Sequence, residues 1–188
     1  AHGLKPGERV VGVLGGLRVN KGHRVFLESA RALHDRYPQI RFVLVGDGPA
    51  GESIRRHIVE LGLEKTVLVV GFVREPELAV AAFDVAVYPS LSSEGMGRVV
   101  FEYMAAGRPI VATRIGLAAE VLKDGETAWL VAADDPGALA AAIDGALTQP
   151  ARGRQQSQAC RRLVETSYSG AVVTGAILTE SDPRLDSD

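Results

Sequence analysis

Two carboxylates and two glycines lie where the stretch Tyr88 to Thr113, YPSLSSEGMGRVVFEYMAAGRPIVAT, passes from an apolar run through a polar loop into a helix. Glu94 falls in the loop mouth and Glu102 inside the helix, eight positions on. An ionised carboxylate only accepts hydrogen bonds, so it suits hydroxyl donors such as those of a sugar or a ribose. The first backbone N–H groups of the helix, around Gly97 and Arg98, lack partners within it and carry the positive end of its dipole, which suits a phosphate. Gly95 and Gly97 let a ligand approach the backbone closely. Hydroxyl acceptors beside an anion site describe a nucleotide-sugar. Each carboxylate also has a plainer reading. Glu94 could be an acid placed for the helix dipole. Glu102, set among Val99, Val100, Phe101, Tyr103, Met104, Ala105 and Ala106, could be half of a buried ion pair with an Arg or Lys.

The segment GGLRVNKG, Gly15 to Gly22, offers the positive charge that a diphosphate needs. Arg18 and Lys21 can neutralise charge that builds on a leaving nucleoside diphosphate, and Arg98 is a further phosphate candidate. The plainer readings are solubility for Lys21, a surface position for Arg18 and a salt bridge for Arg98. No metal is expected: His2, His23, His34 and His57 are scattered without ligand spacing, and Asp-x-Asp occurs only at Asp186 and Asp188. No Ser-His-Asp or Cys-His arrangement suggests a hydrolase.

The elements that must position these groups alternate strictly. Apolar runs at Val10–Leu14, Phe42–Val45, Val67–Val70, Val85–Tyr88, Ile110–Ala112 and Trp129–Val131 read as strands. Helical stretches fall at Arg24–Arg36, Glu52–Leu61, Glu77–Ala82, Arg98–Ala106, Ala118–Leu122 and Pro136–Leu147, and another runs from Pro150 to about Thr166. Strand and helix in alternation predict an α/β, doubly wound parallel sheet of Rossmann-like form, with strands apolar on both faces because helices cover both. Ligands in such folds bind outside the carboxyl ends of the strands. Gly15 and Gly16, Asp47 to Pro49, Gly71 and Phe72, the Glu94 loop and Thr113 all fall at that edge. Trp129 is expected in the core beside the last strand, and Arg152, Arg154, Arg161 and Arg162 on a solvated face.

At 188 residues and 46% hydrophobic, the chain can bury one sizeable core, and its formal charge of -2 gives no general pull toward nucleic acid or an anionic membrane. The lone Cys160 excludes a disulfide framework and reads as a small semi-buried helix residue. No apolar run approaches the length of a membrane span. The absence of an initiator Met suggests a piece cut from a longer protein. Beyond Tyr168, Gly170, Gly175 and the SDPRLDSD ending read as a partly disordered extension, which divides the chain into a domain over 1–168 and a tail over 169–188.

Together, VLGGLRVNKG, FVLVGDGP, LGLEKTVLVVGFV, the Glu pair in EGMGRVVFE, GRPIVAT and DGETAWLV resemble the retaining glycosyltransferases of family 4, also called group 1. The likeness is to the C-terminal, donor-binding half of their GT-B fold and covers about Val10 to Tyr168. It implies that Glu94 holds hydroxyls of the donor sugar and Glu102 the ribose of the nucleotide. The donor-binding set it implies is Gly15, Gly16, Gly71, Phe72, Val73, Gly95, Met96, Gly97, Arg98 and Glu102, with Glu94, Lys21 and Arg18 in catalysis. Many members carry Arg where this chain has Gly16, so Arg18 is either a substitute from a shifted position or a surface residue. The resemblance further implies a UDP-, GDP- or ADP-sugar donor, no cofactor or metal, an acceptor domain N-terminal to this one, and a cytoplasmic place, with membrane contact through that other half. Two rivals stay open. A non-catalytic nucleotide-binding or docking module could keep the same fold. In an NAD-dependent oxidoreductase, Asp47 would hold the ribose, but Gly12, Gly15 and Gly16 do not make Gly-x-Gly-x-x-Gly, and Asp47 lies further downstream than the usual ~20 residues.

Overall fold

A computed structural model describes residues 7–93 and 98–168. The expectations placed on Glu94, Gly95, Met96 and Gly97, and on the tail from 169 to 188, lie outside the described residues. Six strands, β1 (Arg9–Leu14), β2 (Ile40–Val45), β3 (Val67–Gly71), β4 (Val85–Tyr88), β5 (Ile110–Thr113) and β6 (Trp129–Val131), form one parallel sheet in the order β3-β2-β1-β4-β5-β6. Between and after them come α1 (His23–His34), α2 (Gly51–Glu60), α3 (Pro76–Ala81), α4 (Arg98–Ala105), α5 (Gly116–Val121), α6 (Pro136–Thr148) and α7 (Pro150–Leu163).

Alternation within each strand sorts side chains into two cores. Val11 and Val13 of β1, Phe42 and Leu44 of β2, and Val85 and Val87 of β4 pack on one face, against Phe26 and Leu27 of α1, Ile54 of α2 and Ile143 of α6. Val10, Val43, Ala86 and Ile110 pack on the other face, with Val80 of α3, Tyr103 and Met104 of α4, and Cys160 of α7. Strands covered on both sides carry apolar residues at both parities, so they read as unbroken apolar runs.

The expected elements recur with shifted ends. β2 begins at Ile40, earlier than Phe42, because polar Arg41 stays in the strand by reaching Glu8, Nε to Oε1 at 3.1 Å. A 3-10 turn at Val19–Lys21, unforeseen in the sequence, folds the Gly15–Gly22 segment. The last helix changes to π-helical winding over Val164–Tyr168. α6 starts where expected: Asp135 accepts the Ala138 N–H at 2.8 Å, and Pro136, which has no N–H, opens the first turn.

Trp129 is buried, as expected. Arg154, Arg161 and Arg162 are exposed, but Arg152 departs from the solvated face. Its guanidinium lies 5.1 Å from the centre of the Trp129 ring, an attractive cation–π position that uses its flat face. Cys160 is fully buried, more deeply than expected; its thiol donates to the Thr127 carbonyl at 3.1 Å, and burial pushes its pKa up to about 11. Among the described residues, no helix is long and apolar enough to cross a membrane.

Candidate functional site

The strand order reverses between β1 and β4, which places a crevice between the loops that leave their carboxyl ends. These two strands pair only through Val11 with Val85 and Gly12 with Ala86. Beyond that point Tyr103 of α4 bridges the gap: its hydroxyl accepts the Leu14 N–H at 2.7 Å and donates to the Val87 carbonyl at 3.2 Å. Burial, with the Glu102 charge adding, raises its pKa far above the ordinary phenol range, so it stays a donor. The sequence reading counted Tyr103 only as an apolar neighbour of Glu102. Nothing in sequence spacing signals a hydroxyl that joins two strands.

Glu102, the residue before Tyr103, is half-buried on the wall of a cleft of about 300 Å³. Gly15, Gly16, Asp47, Phe72 and Val73 line the same cleft. Five of the residues expected around the donor, spread over more than eighty positions, therefore meet at one place. No Lys or Arg among the described residues forms an ion pair with Glu102, so the buried-pair reading finds no partner there. Gly71 lies just behind, its carbonyl accepting the Gly46 N–H at 2.8 Å. Phe72 is 76% exposed, which leaves its ring free to stack on a planar group. Asp47 is engaged within its own loop, its Oδ1 taking the Gly48 N–H at 2.7 Å.

A smaller hollow of about 40 Å³ adjoins this cleft through Leu14, Gly15 and Val99, and Lys21 lines it. The other two cations stand apart. Arg98, the first residue of α4, is exposed and lines neither space. Arg18 is exposed on a groove of about 360 Å³ between α1 and α2, although its Nε lies 3.9 Å from where a Cβ on Gly16 would stand. Among the described residues no three of His, Cys, Asp and Glu come together in a way that could hold a metal ion.

Two residues that the sequence reading passed over also line the small hollow, His23 and Ser90. His23 is 3% exposed, and its Nε2 lies 3.1 Å from the Gly16 carbonyl. A carbonyl only accepts, so Nε2 carries the proton. Burial lowers the imidazole pKa below its usual 6.5; the Gly16 bond opposes this and the Lys21 charge adds to it. The unfolded chain therefore takes up this proton near pH 6.5, and the folded chain only at lower pH. Stability from neutral His23 is complete above that range and falls as pH drops toward the folded pKa. Urea melts between about pH 7 and 5 should show wild type losing more stability than His23→Gln, and parallel slopes would contradict this account.

The sequence model of the glycosyl transferases group 1 matches residues 8–149. The chain belongs to this family. A D-inositol 3-phosphate glycosyltransferase of Corynebacterium urealyticum is 35% identical over 153 residues, which cover 76% of this chain and 36% of the relative. Anabaena HepE, solved in complex with UDP, superposes with a TM-score of 0.85 at 25% identity, over 90% of this chain and 47% of that one. The C-terminal domain of the group 1 glycosyl transferase LpcC from Francisella tularensis gives a TM-score of 0.80 at 26% identity, over 87% and 88% of the two chains. The fold is thus the Rossmann-like C-terminal domain of the GT-B glycosyltransferases. The chain spans about a third to a half of the length of the curated relatives it matches. Membership of this group 1 family sets aside the dehydrogenase rival.

Proposed function

We propose that this chain is the donor-binding half of a retaining glycosyltransferase, which moves a hexose-type sugar from a nucleoside diphosphate to a hydroxyl acceptor. The observation that carries the reading is that half-buried Glu102 lines one cleft with Gly15 and Gly16 at the strand switch point. An acceptor of hydroxyls opposite close-approach glycines fits a ribose joined to a diphosphate. HepE, whose fold this chain shares, has been solved with UDP and with UDP-glucose.

In this reading Glu102 holds the ribose, and Phe72 with Val73 flanks the base. Lys21, with Arg18 reaching in beside Gly16, stabilises the negative charge that grows on the departing diphosphate. Glu94, outside the described residues, holds hydroxyls of the donor sugar, as the family resemblance implies. Rate then comes from positioning and charge stabilisation at the leaving group. The cations supply the counter-charge, so the chain should bind UDP, GDP or ADP equally well with and without EDTA in a thermal-shift assay. Strict metal dependence, or selective binding of NAD, would count against the reading.

The ribose assignment has its own test. Glu102→Gln should weaken the free diphosphate and the nucleotide-sugar alike, by about 1 to 3 kcal/mol for a lost charged hydrogen bond. Glu94→Gln should weaken chiefly the nucleotide-sugar. Calorimetry on the four pairings decides it; a Glu102→Gln loss confined to the nucleotide-sugar refutes the assignment, and gross unfolding of that variant returns Glu102 to a structural role.

A further inference from the structure

Two of the residues that line the small hollow between the ends of β1 and β4 each carry a buried polar atom without a partner among the described residues. His23 is 3% exposed and Ser90 1% exposed, and among the described residues neither His23 Nδ1 nor Ser90 Oγ has a hydrogen-bond partner. Both residues line the same space of about 40 Å³, beside Lys21 and Gly15. We propose that this hollow is a hydroxyl-binding subsite, in which His23 Nδ1 and Ser90 Oγ hold one hydroxyl-bearing arm of the donor sugar. The proposal rests on the donor-binding reading above and deepens it by naming residues that would select the sugar.

Four facts lead to this chemistry. Buried polar groups are almost always hydrogen-bonded, so two orphans on one small space call for a partner that enters it. With Nε2 committed to the Gly16 carbonyl, Nδ1 of the neutral ring is a pure acceptor. Phosphate oxygens at neutral pH also only accept, so the entering group must donate, and a hydroxyl does. The Ser90 hydroxyl can turn to donate to that same oxygen. The volume is of the order of one or two water molecules, enough for a hydroxyl or hydroxymethyl arm and too small for a sugar ring.

The two residues are also held rigidly. Ser90 is anchored through its carbonyl, which accepts the Thr113 hydroxyl at 2.7 Å, and His23 is anchored by Gly16. Neither anchor uses the orphan atom. The hollow shares Leu14, Gly15 and Val99 with the Glu102 cleft, so the two lie side by side within the span of one nucleotide-sugar.

The test measures UDP, GDP and ADP, and the corresponding glucose conjugates, by calorimetry on wild type, Ser90→Ala and His23→Gln. Gln places its side-chain nitrogen near Nε2 and can keep the Gly16 bond while removing the Nδ1 acceptor. Each variant should bind the free diphosphate as wild type does and the nucleotide-sugar about five- to ten-fold more weakly. Ser90→Ala, a small change, provides the answer if His23→Gln does not fold. Unchanged binding of both ligands means that water alone fills the hollow and overturns the subsite. Equal weakening of both ligands means that the residues act through the fold and also overturns it. A wild-type chain that binds none of these nucleotides overturns the donor-binding reading and the subsite with it.

Discussion

Given a nucleotide-sugar and a hydroxyl acceptor, the 188-residue chain is expected to bind the donor yet transfer sugar at least roughly four orders of magnitude more slowly than a two-domain relative. In the proposed reading every chemical group assigned above serves the nucleotide or the donor sugar. Gly15, Gly16 and Glu102 share one cleft, and Lys21 and Ser90 the hollow beside it. The matched relatives extend well beyond the segment that this chain covers, and the proposal assigns the acceptor to that remainder. Holding an acceptor against the anomeric carbon can be worth about 7 to 11 kcal/mol, and closure of a second domain also removes water from the reacting centre. Slow hydrolysis of the donor is the most this half should achieve. The assay follows transfer by this chain, by the chain joined to the N-terminal half of a group 1 relative, and by that relative, with the donor held constant. Comparable turnover by the chain alone would overturn the division of labour. A joined protein that binds donor and acceptor but never turns over would favour the non-catalytic module.

Gly22→Ala is expected to destabilise the fold by about 3 kcal/mol or more and to abolish donor binding at ordinary temperatures. Gly22 closes the 3-10 turn and opens α1 with φ of 69°, in the left-handed region that costs an L-residue roughly 1 to 2 kcal/mol. A Cβ there would also overlap the Pro89 carbonyl oxygen and lie 2.8 Å from its carbon, both backbone atoms that cannot swing away. This contact brings the loop after β1 onto the loop after β4, where the Leu91 N–H also reaches the Asn20 carbonyl at 2.8 Å. Gly62 separates the two contributions, since its φ is 67° but nothing lies within 4 Å of an added Cβ. Gly62→Ala should therefore cost only the backbone part. With melting temperatures moving about 2 to 4 °C per kcal/mol at this size, Gly22→Ala should fall well below Gly62→Ala. Equal shifts would show that the close approach to Pro89 carries no energy.

The alternation of apolar runs and amphipathic helices was legible in the sequence because a parallel sheet covered on both faces leaves continuous apolar strands. Element ends were less legible. Arg41 breaks the apolar pattern of β2 yet stays in register opposite Val10, because its charge is met by Glu8. Arg152 looked like one more surface cation, but a ring twenty-three positions upstream captures its guanidinium.

The residue types and the order of motifs by themselves determined the parallel α/β fold, the glycosyltransferase resemblance and the choice of Gly15, Gly16, Phe72, Val73, Lys21 and Glu102 as candidates. These properties are local, set by side-chain chemistry and by spacing along the chain. Only the tertiary structure decided which candidates share a space. It put Glu102 in one cleft with the first glycine loop, set Arg18 on the rim between that loop and the α1–α2 groove, and left Arg98 in solvent. It also showed that Tyr103 joins the ends of β1 and β4, and that His23 and Ser90, sixty-seven positions apart, line one hollow and each carry an atom unpartnered among the described residues. The physical reason is that hydrogen bonds and ion pairs act over a few ångströms between groups distant in sequence. Their pairing follows from how the strands splay at the switch point, which spacing along a single chain does not encode.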